Sequence, residues 1–214
     1  MLKAWLHRVG GIVRRRDEDR FASQTRLITV LFSNMRDYVS LCERIELELL
    51  RELITAYFSE MTHVVSKHNG TVDKFIGDCF SAIYNAPLES PDHALKAVQT
   101  ALELQERTRD FSRRWEARAG GAIRCGVGIS TGYALVTTMG SKQHLFGAMG
   151  AAVDLAQRLE SLTKEYEVPI VISETTHQHL AGRIPTRELR DVVGKGTAQP
   201  VKIFGVWPGV PHHL

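Results

Sequence analysis

The residues of this chain that could do chemistry sit at the ends of predicted elements. Asn34 follows the apolar run Leu27-Ile-Thr-Val-Leu-Phe32, and Asp78 stands beside Gly77 between the runs 71–76 and 79–84. A polar residue closing a strand and an Asp at a hairpin tip can aim oxygen ligands at one point in space. Hard divalent cations that work on triphosphates need such oxygens and keep positions for water and phosphate. Taken alone, Gly-Asp is also ordinary turn chemistry. Lys74, in the run before the turn, reads by itself as a solvated strand residue. Asp154 and Arg158 are four apart on one helix face, by themselves a surface ion pair worth little in stability.

The elements around these positions follow from hydrophobic pattern. The run 27–32 is continuous and of strand composition, so it predicts a buried central strand. From about Cys42 to His68, Ile45, Leu49, Leu53, Tyr57, Met61 and Val64 recur at three- and four-residue steps, which predicts one long amphipathic helix ending at Asn69-Gly70. The runs 71–76 and 79–84, separated only by Gly77-Asp78, predict a tight hairpin. Ser90-Pro-Asp-His93 predicts the start of a second long helix, with Ser90 as cap, Pro91 in the first turn and Asp92 facing the helix dipole. Gly120-Gly121 ends it near Ala119. Residues 123–130 alternate as a strand, Thr131-Gly132 predicts a turn, 133–138 predict another short strand, and a loop follows. A helix over 151–162 and strands at 168–172 and 201–206 complete the order. It is a βαββαβ layout, one sheet with helices on one face, class α+β, in one domain with an N-terminal arm.

Composition narrows the function classes. The 214 residues are 43% apolar and 24% charged, which excludes disorder and a collagen-like chain. No apolar run approaches the roughly 20 residues of a membrane span. Cys42, Cys79 and Cys125 form no C-x-x-C pair, a sparse and odd set that suits a reducing, cytoplasmic compartment. Residues 1–26 hold seven of the 27 Lys and Arg and three of the 24 Asp and Glu, so that segment carries +4 and the rest −1. The body therefore offers no basic footprint for nucleic acid. In the arm, Leu2, Trp5, Leu6, Val9 and Val13 share a stripe beside Arg14-Arg15-Arg16, a pattern for weak membrane or protein contact through residues 1–16.

Four segments shift the reading of the chemistry. Val30-Leu-Phe-Ser-Asn-Met-Arg36, Thr71-Val-Asp-Lys-Phe-Ile-Gly-Asp78, Val127-Gly-Ile-Ser-Thr-Gly132 and Gly150-Ala-Ala-Val-Asp-Leu-Ala-Gln-Arg-Leu-Glu160 occur in that order. Together they closely resemble the class III nucleotidyl cyclase catalytic domain, the adenylyl and guanylyl cyclase family. The resemblance divides the chain into the basic arm 1–26, a cyclase domain 27–207 and a tail 208–214. It implies a ferredoxin-like α+β fold that forms a head-to-tail homodimer with composite active sites. It also implies conversion of a nucleoside triphosphate into a 3′,5′-cyclic monophosphate and pyrophosphate, with two Mg²⁺ or Mn²⁺ ions.

Carried over by position, Asp78 matches one metal-binding aspartate and Asn34 falls where the other belongs, a neutral amide in place of a carboxylate. Lys74 matches the adenine-selecting lysine of the Asp-Lys-Phe-Ile-Gly-Asp motif, and Arg158 the arginine that stabilises charge on the transferred phosphoryl group. The ribose-orienting asparagine falls on Asp154. The two exchanges, at 34 and 154, leave the charge of a composite site near the family value. Lys195 matches a phosphate-contacting lysine approximately. The residue that accepts from the adenine amino group falls on Gly147, beside Phe146 in the implied substrate site, in a region one residue shorter than in common members. With no acceptor at Gly147, adenine leaves its N6 donors unpaired, at a cost of about 1 to 3 kcal/mol. Uracil offers its O4 to Lys74 and is penalised least. UTP is therefore the expected substrate beside ATP, and the short chain is similar to the stand-alone bacterial pyrimidine (uridylate or cytidylate) cyclases of antiphage signalling. The alternative is a catalytically impaired pseudo-cyclase that binds a nucleotide or a protein.

Overall fold

The computed structural model describes residues 23–139, 145–189, 192–193 and 200–209. The arm through residue 22, Lys195 and the tail beyond residue 209 lie outside the described residues. Strand β1 (Gln24–Met35) runs between β3 (Cys79–Tyr84) and β4 (Cys125–Met139), antiparallel to both. Beyond β3 lies β2 (Thr71–Ile76), and beyond β4 come β6 (Ile170–Ser173), β10 (Ile203–Val206) and β7 (Arg187–Glu188). β5 (Leu145–Met149) folds back on the end of β4, and β8 (Val192–Val193) pairs separately with β9 (Pro200–Val201). The β4–β6 pair is parallel, so the sheet is mixed. The order β2-β3-β1-β4 is that of a ferredoxin-like βαββαβ unit.

Five helices join these strands among the described residues: α1 (Tyr38–Arg44), α2 (Leu47–Lys67), α3 (His93–Ala119), α4 (Ala151–Glu165) and α5 (Glu174–Leu180). They cover both faces of the sheet, not one as the sequence predicts. Leu31, Met35, Val127 and Ile129 pack with Leu53, Tyr57, Leu104 and Phe111 of α2 and α3. Ile28, Val30 and Phe32, the alternate residues of β1, pack with Val153 and Ala156 of α4 and with Phe146 and Ala148 of β5. A run with apolar residues on both of its faces, Leu27 and Leu31 on one and Ile28, Val30 and Phe32 on the other, buries both sides, and α4 supplies the second cover.

Several local predictions are corrected. The helix expected over 42–68 is two helices, because Ile45 (φ −120°, ψ 152°) and Glu46 (φ −62°, ψ 146°) are extended. Both pieces bury apolar residues in one core, so the spacing continues across the break. The expected turn at Thr131-Gly132 lies inside the unbroken 15-residue β4, where these residues pair with Thr29 and Ile28. Gly132 is there for close approach: a Cβ on it would stand 3.1 Å from the Ala152 Cβ. Gly126 and Gly128 share that face of β4, and α4 lies in the space their missing side chains leave. Ser90 does not cap α3. The helix starts at His93, Ser90 accepts from Lys96 at 2.9 Å, and the Asp92 carboxylate accepts from Arg183 at 2.8 Å.

Candidate active site

Asn34 lies near the end of β1, opposite Cys79 of β3 and Gly126 of β4. Asp78 completes the two-residue turn between β2 and β3, whose first residue, Gly77, takes φ 60°. The turn is fastened to β1 by the Met35 amide, which donates to the Asp78 carbonyl at 3.1 Å. The structure thus brings Asn34 and Asp78 to the same end of the sheet. From the far side α4 presents Glu160, whose side chain is only 8% exposed. The Arg36 guanidinium stands 3.9 Å from the Glu160 Oε1 and is itself hydrogen-bonded to the Thr163 hydroxyl. Burial raises the Glu160 carboxyl above its usual range, Arg36 and the Asn34 amide act to lower it, and the nearby Asp78 charge raises it again. The Cys79 thiol, opposite Asn34, is pushed up to about 12 by burial and then by the charges of Glu160 and Asp78. Both the Asn34 Oδ1 and the Glu160 Oε1 are buried without a hydrogen-bond partner.

Lys74 occupies a second polar group on β2. The ladder to β3 is irregular between Val72 and Lys74, an extra residue that leaves Asp73 and Lys74 together opposite Ser81. The Asp73 carboxylate is buried, accepts from Ser81 at 3.1 Å and holds the Lys74 ammonium at 3.1 Å, while Lys74 remains 38% exposed. Burial raises the Asp73 carboxyl, against the opposing pull of Lys74. β5 lies against β2, so Gly147 is on a strand next to the one that carries Lys74. Gly147 and Phe146 are both buried, and the Phe146 ring belongs to the core over β1. Successive strand residues point to opposite faces, so Gly147 looks away from that core.

Asp154 and Arg158 are exposed on α4 and form no ion pair, with each other or with any described residue. At about 100° per residue, Arg158 points roughly opposite to Glu160. One chain therefore gathers Asn34, Asp78, Glu160 and Arg36, and turns Asp154 and Arg158 away from them. Sequence reasoning missed Asp73, Arg36 and Glu160 as members of these groups, although each lies within the segments that carry the resemblance. The signal available for Glu160 was a charged residue directly after the inward-facing Leu159.

No group of three or more His, Cys, Asp and Glu side chains gathers as a metal site among the described residues. What the cluster offers is two carboxylates and one amide oxygen. Two of these oxygens have no donor, and a hard divalent cation takes oxygens of this kind. The donor set fits such an ion. No described helix is long and apolar enough to cross a membrane.

Residues 21–204 match the family described as adenylate and guanylate cyclase catalytic domain. The chain is 31% identical over 180 residues to adenylate cyclase 1 of Rhizobium meliloti, covering 84% of this chain and 27% of that protein. It is 31% identical over 165 residues to the adenylate cyclase of Anabaena cylindrica, covering 75% of this chain and 32% of the relative. The chain thus spans about a third or less of these relatives. Its fold superposes on the adenylyl cyclase CyaB from P. aeruginosa with a TM-score of 0.81 at 29% identity, covering 89% of this chain and 98% of that one. The guanylyl cyclase Cya2 gives a TM-score of 0.81 at 33% identity, covering 87% and 94%. With its fold, its motifs and the match over nearly its whole length in agreement, this chain belongs to the class III adenylyl and guanylyl cyclase catalytic domain family.

Proposed function

We propose that this chain makes a 3′,5′-cyclic nucleotide from a nucleoside triphosphate, as a head-to-tail homodimer, and that UTP suits its base site best. The observation that carries the reading is the split of the charged groups. Asn34 and Asp78 stand together at one end of the sheet, while Arg158 and Asp154, on the outward side of α4, form no ion pair among the described residues. A second copy can bring its α4 to the first copy's cluster. The exposed apolar strip of Tyr133, Leu135 and Met149 on β4 and β5 supports an association of that kind, since Leu135 and Met149 are direct cross-strand partners.

In the reaction the ribose 3′-oxygen forms a bond to the α-phosphorus as the bond to pyrophosphate breaks. Asn34 and Asp78 would hold Mg²⁺ or Mn²⁺, which when bound supplies Lewis-acid stabilisation of the attacking and leaving oxygens. Arg158 of the partner copy neutralises charge that grows on the transferred phosphoryl group. Asp154 beside it restores a carboxylate to the composite site, on the opposite side from Asn34. Lys74, anchored by Asp73, keeps further N–H donors free for a base carbonyl. Gly147 adds no acceptor, which supports a base with a carbonyl toward Lys74, such as the O4 of uracil.

A neutral Asn34 favours the second reading, a pseudo-cyclase that binds without turnover. The deciding experiment incubates the chain and its Asn34→Asp form with Mn²⁺ and equal ATP, GTP, CTP and UTP, and identifies products by mass spectrometry. Cyclic UMP is expected. Cyclic AMP alone overturns the base assignment, and no product from either form leaves the pseudo-cyclase.

A further inference from the structure

Glu160 has an environment that its position on a packing helix does not require. Its side chain is 8% exposed, its Oε1 has no hydrogen-bond partner, and the nearest cation, Arg36, is 3.9 Å away. Arg36 spends a hydrogen bond on Thr163 instead. Asn34 pairs with Gly126 on the face of the sheet that α4 covers, and its Oδ1 too is buried without a donor. Two buried acceptors in one place, neither satisfied, cost free energy that a water or an ion must offset. A buried carboxylate oxygen without a donor, at the end of the sheet where the turn carries a second carboxylate, Asp78, selects a cation over a neutral donor.

We propose that Glu160 is a third oxygen ligand of the divalent-cation site, taking with Asp78 and the Asn34 Oδ1 the place of the carboxylate that position 34 lacks. The proposal rests on the cyclase reading above. It gives the Asn34 amide a part in the site, since its buried, unpartnered oxygen would face the ion. The negative charge of the site is then carried from α4 and not from β1. Arg36 limits that charge without closing the site, since it stands too far from Oε1 for a hydrogen bond.

The test is binding of Mn²⁺ alone, followed by the loss of the free-ion electron paramagnetic resonance signal, on the wild-type chain and on Asp78→Asn, Glu160→Gln and the exchange variant Asn34→Asp/Glu160→Gln. Glu160→Gln is expected to weaken Mn²⁺ about tenfold or more, as Asp78→Asn does. The exchange variant, which moves the carboxylate from α4 to β1, is expected to recover most of the loss. That recovery also separates a lost ligand from a damaged fold. Wild-type Mn²⁺ affinity in Glu160→Gln, with loss in Asp78→Asn, overturns the role of Glu160 and leaves the cyclase reading standing. Unchanged binding in both single variants overturns the cation site itself, and with it the reading on which the proposal rests.

Discussion

Arg158 and Glu160, two residues apart on α4, face opposite sides of the helix: the guanidinium is exposed and forms no ion pair among the described residues, and the carboxylate is buried beside Arg36. A single chain cannot turn both toward one substrate. If the site is composite, Asp78→Asn and Arg158→Ala chains are each inactive alone, and a mixed dimer regains one intact site. Random pairing of the two then restores about a quarter of wild-type activity. Cyclic-nucleotide formation after co-refolding or co-expression measures this, and no recovery would exclude the head-to-tail arrangement.

Lys74 should control base choice and Asp73 its placement. Lys74→Glu removes the donor to a base carbonyl, so kcat/KM for UTP is expected to fall about tenfold or more relative to GTP. Asp73→Asn keeps the lysine but releases its anchor, and a rise in KM larger than the fall in kcat is the expected outcome. Steady-state kinetics with each triphosphate separate the two. An unchanged base profile in Lys74→Glu would remove Lys74 from the base site.

Gly128 holds α4 against β4. A Cβ there would overlap the Glu160 amide nitrogen and the Ala156 carbonyl oxygen, both backbone atoms that cannot rotate away. Gly128→Ala is therefore expected to cost about 1–3 kcal/mol or more. The check is a fall of several degrees in Tm by calorimetry, together with loss of product formation as Glu160 is displaced.

His93 gives the fold an acid-sensitive point. It is buried, its Nδ1 lies 2.7 Å from the Thr29 hydroxyl, and burial, then the charges of His179 and Arg26, lower its pKa to about 4 from an ordinary 6.5. Between those values the unfolded chain binds this proton and the folded chain does not. The stability it confers is complete above pH 6.5 and is lost as pH falls toward 4, at up to about 1.4 kcal/mol per pH unit. Urea unfolding at pH 7 and pH 4.5 should show a smaller difference in His93→Gln than in the wild type, and equal differences would contradict the assignment.

Legibility from sequence followed the strength of the local signal. The continuous run in β1 and the Gly77-Asp78 hairpin were readable because strand pattern and turn chemistry agree there. The same run, with apolar residues on both of its faces, also implies cover on both, although the sequence-based layout puts the helices on one. The sequence predicts a loop where β5 lies, since Leu145-Phe-Gly-Ala-Met149 is short and has no alternation. α5 was missed because it is mostly polar and buries only Thr176 and Leu180, even though Ser173 caps it by accepting from the Thr176 amide at 3.2 Å. The two-residue strands β7, β8 and β9 fall below any periodicity. Glu160 was hidden for a different reason. Its inward direction depends on α4 lying on the glycine face of β4, a relation between distant segments that no local pattern encodes.

The extra residue in β2 has a consequence for how this domain could diverge. Asp73 and Lys74 share one partner, Ser81, only because the strand carries one residue more than its ladder needs. Deleting a single residue here would straighten the strand and send one of the two charges to the opposite face. A change of nucleotide preference could thus arise from a one-codon deletion, with no new side chain at all.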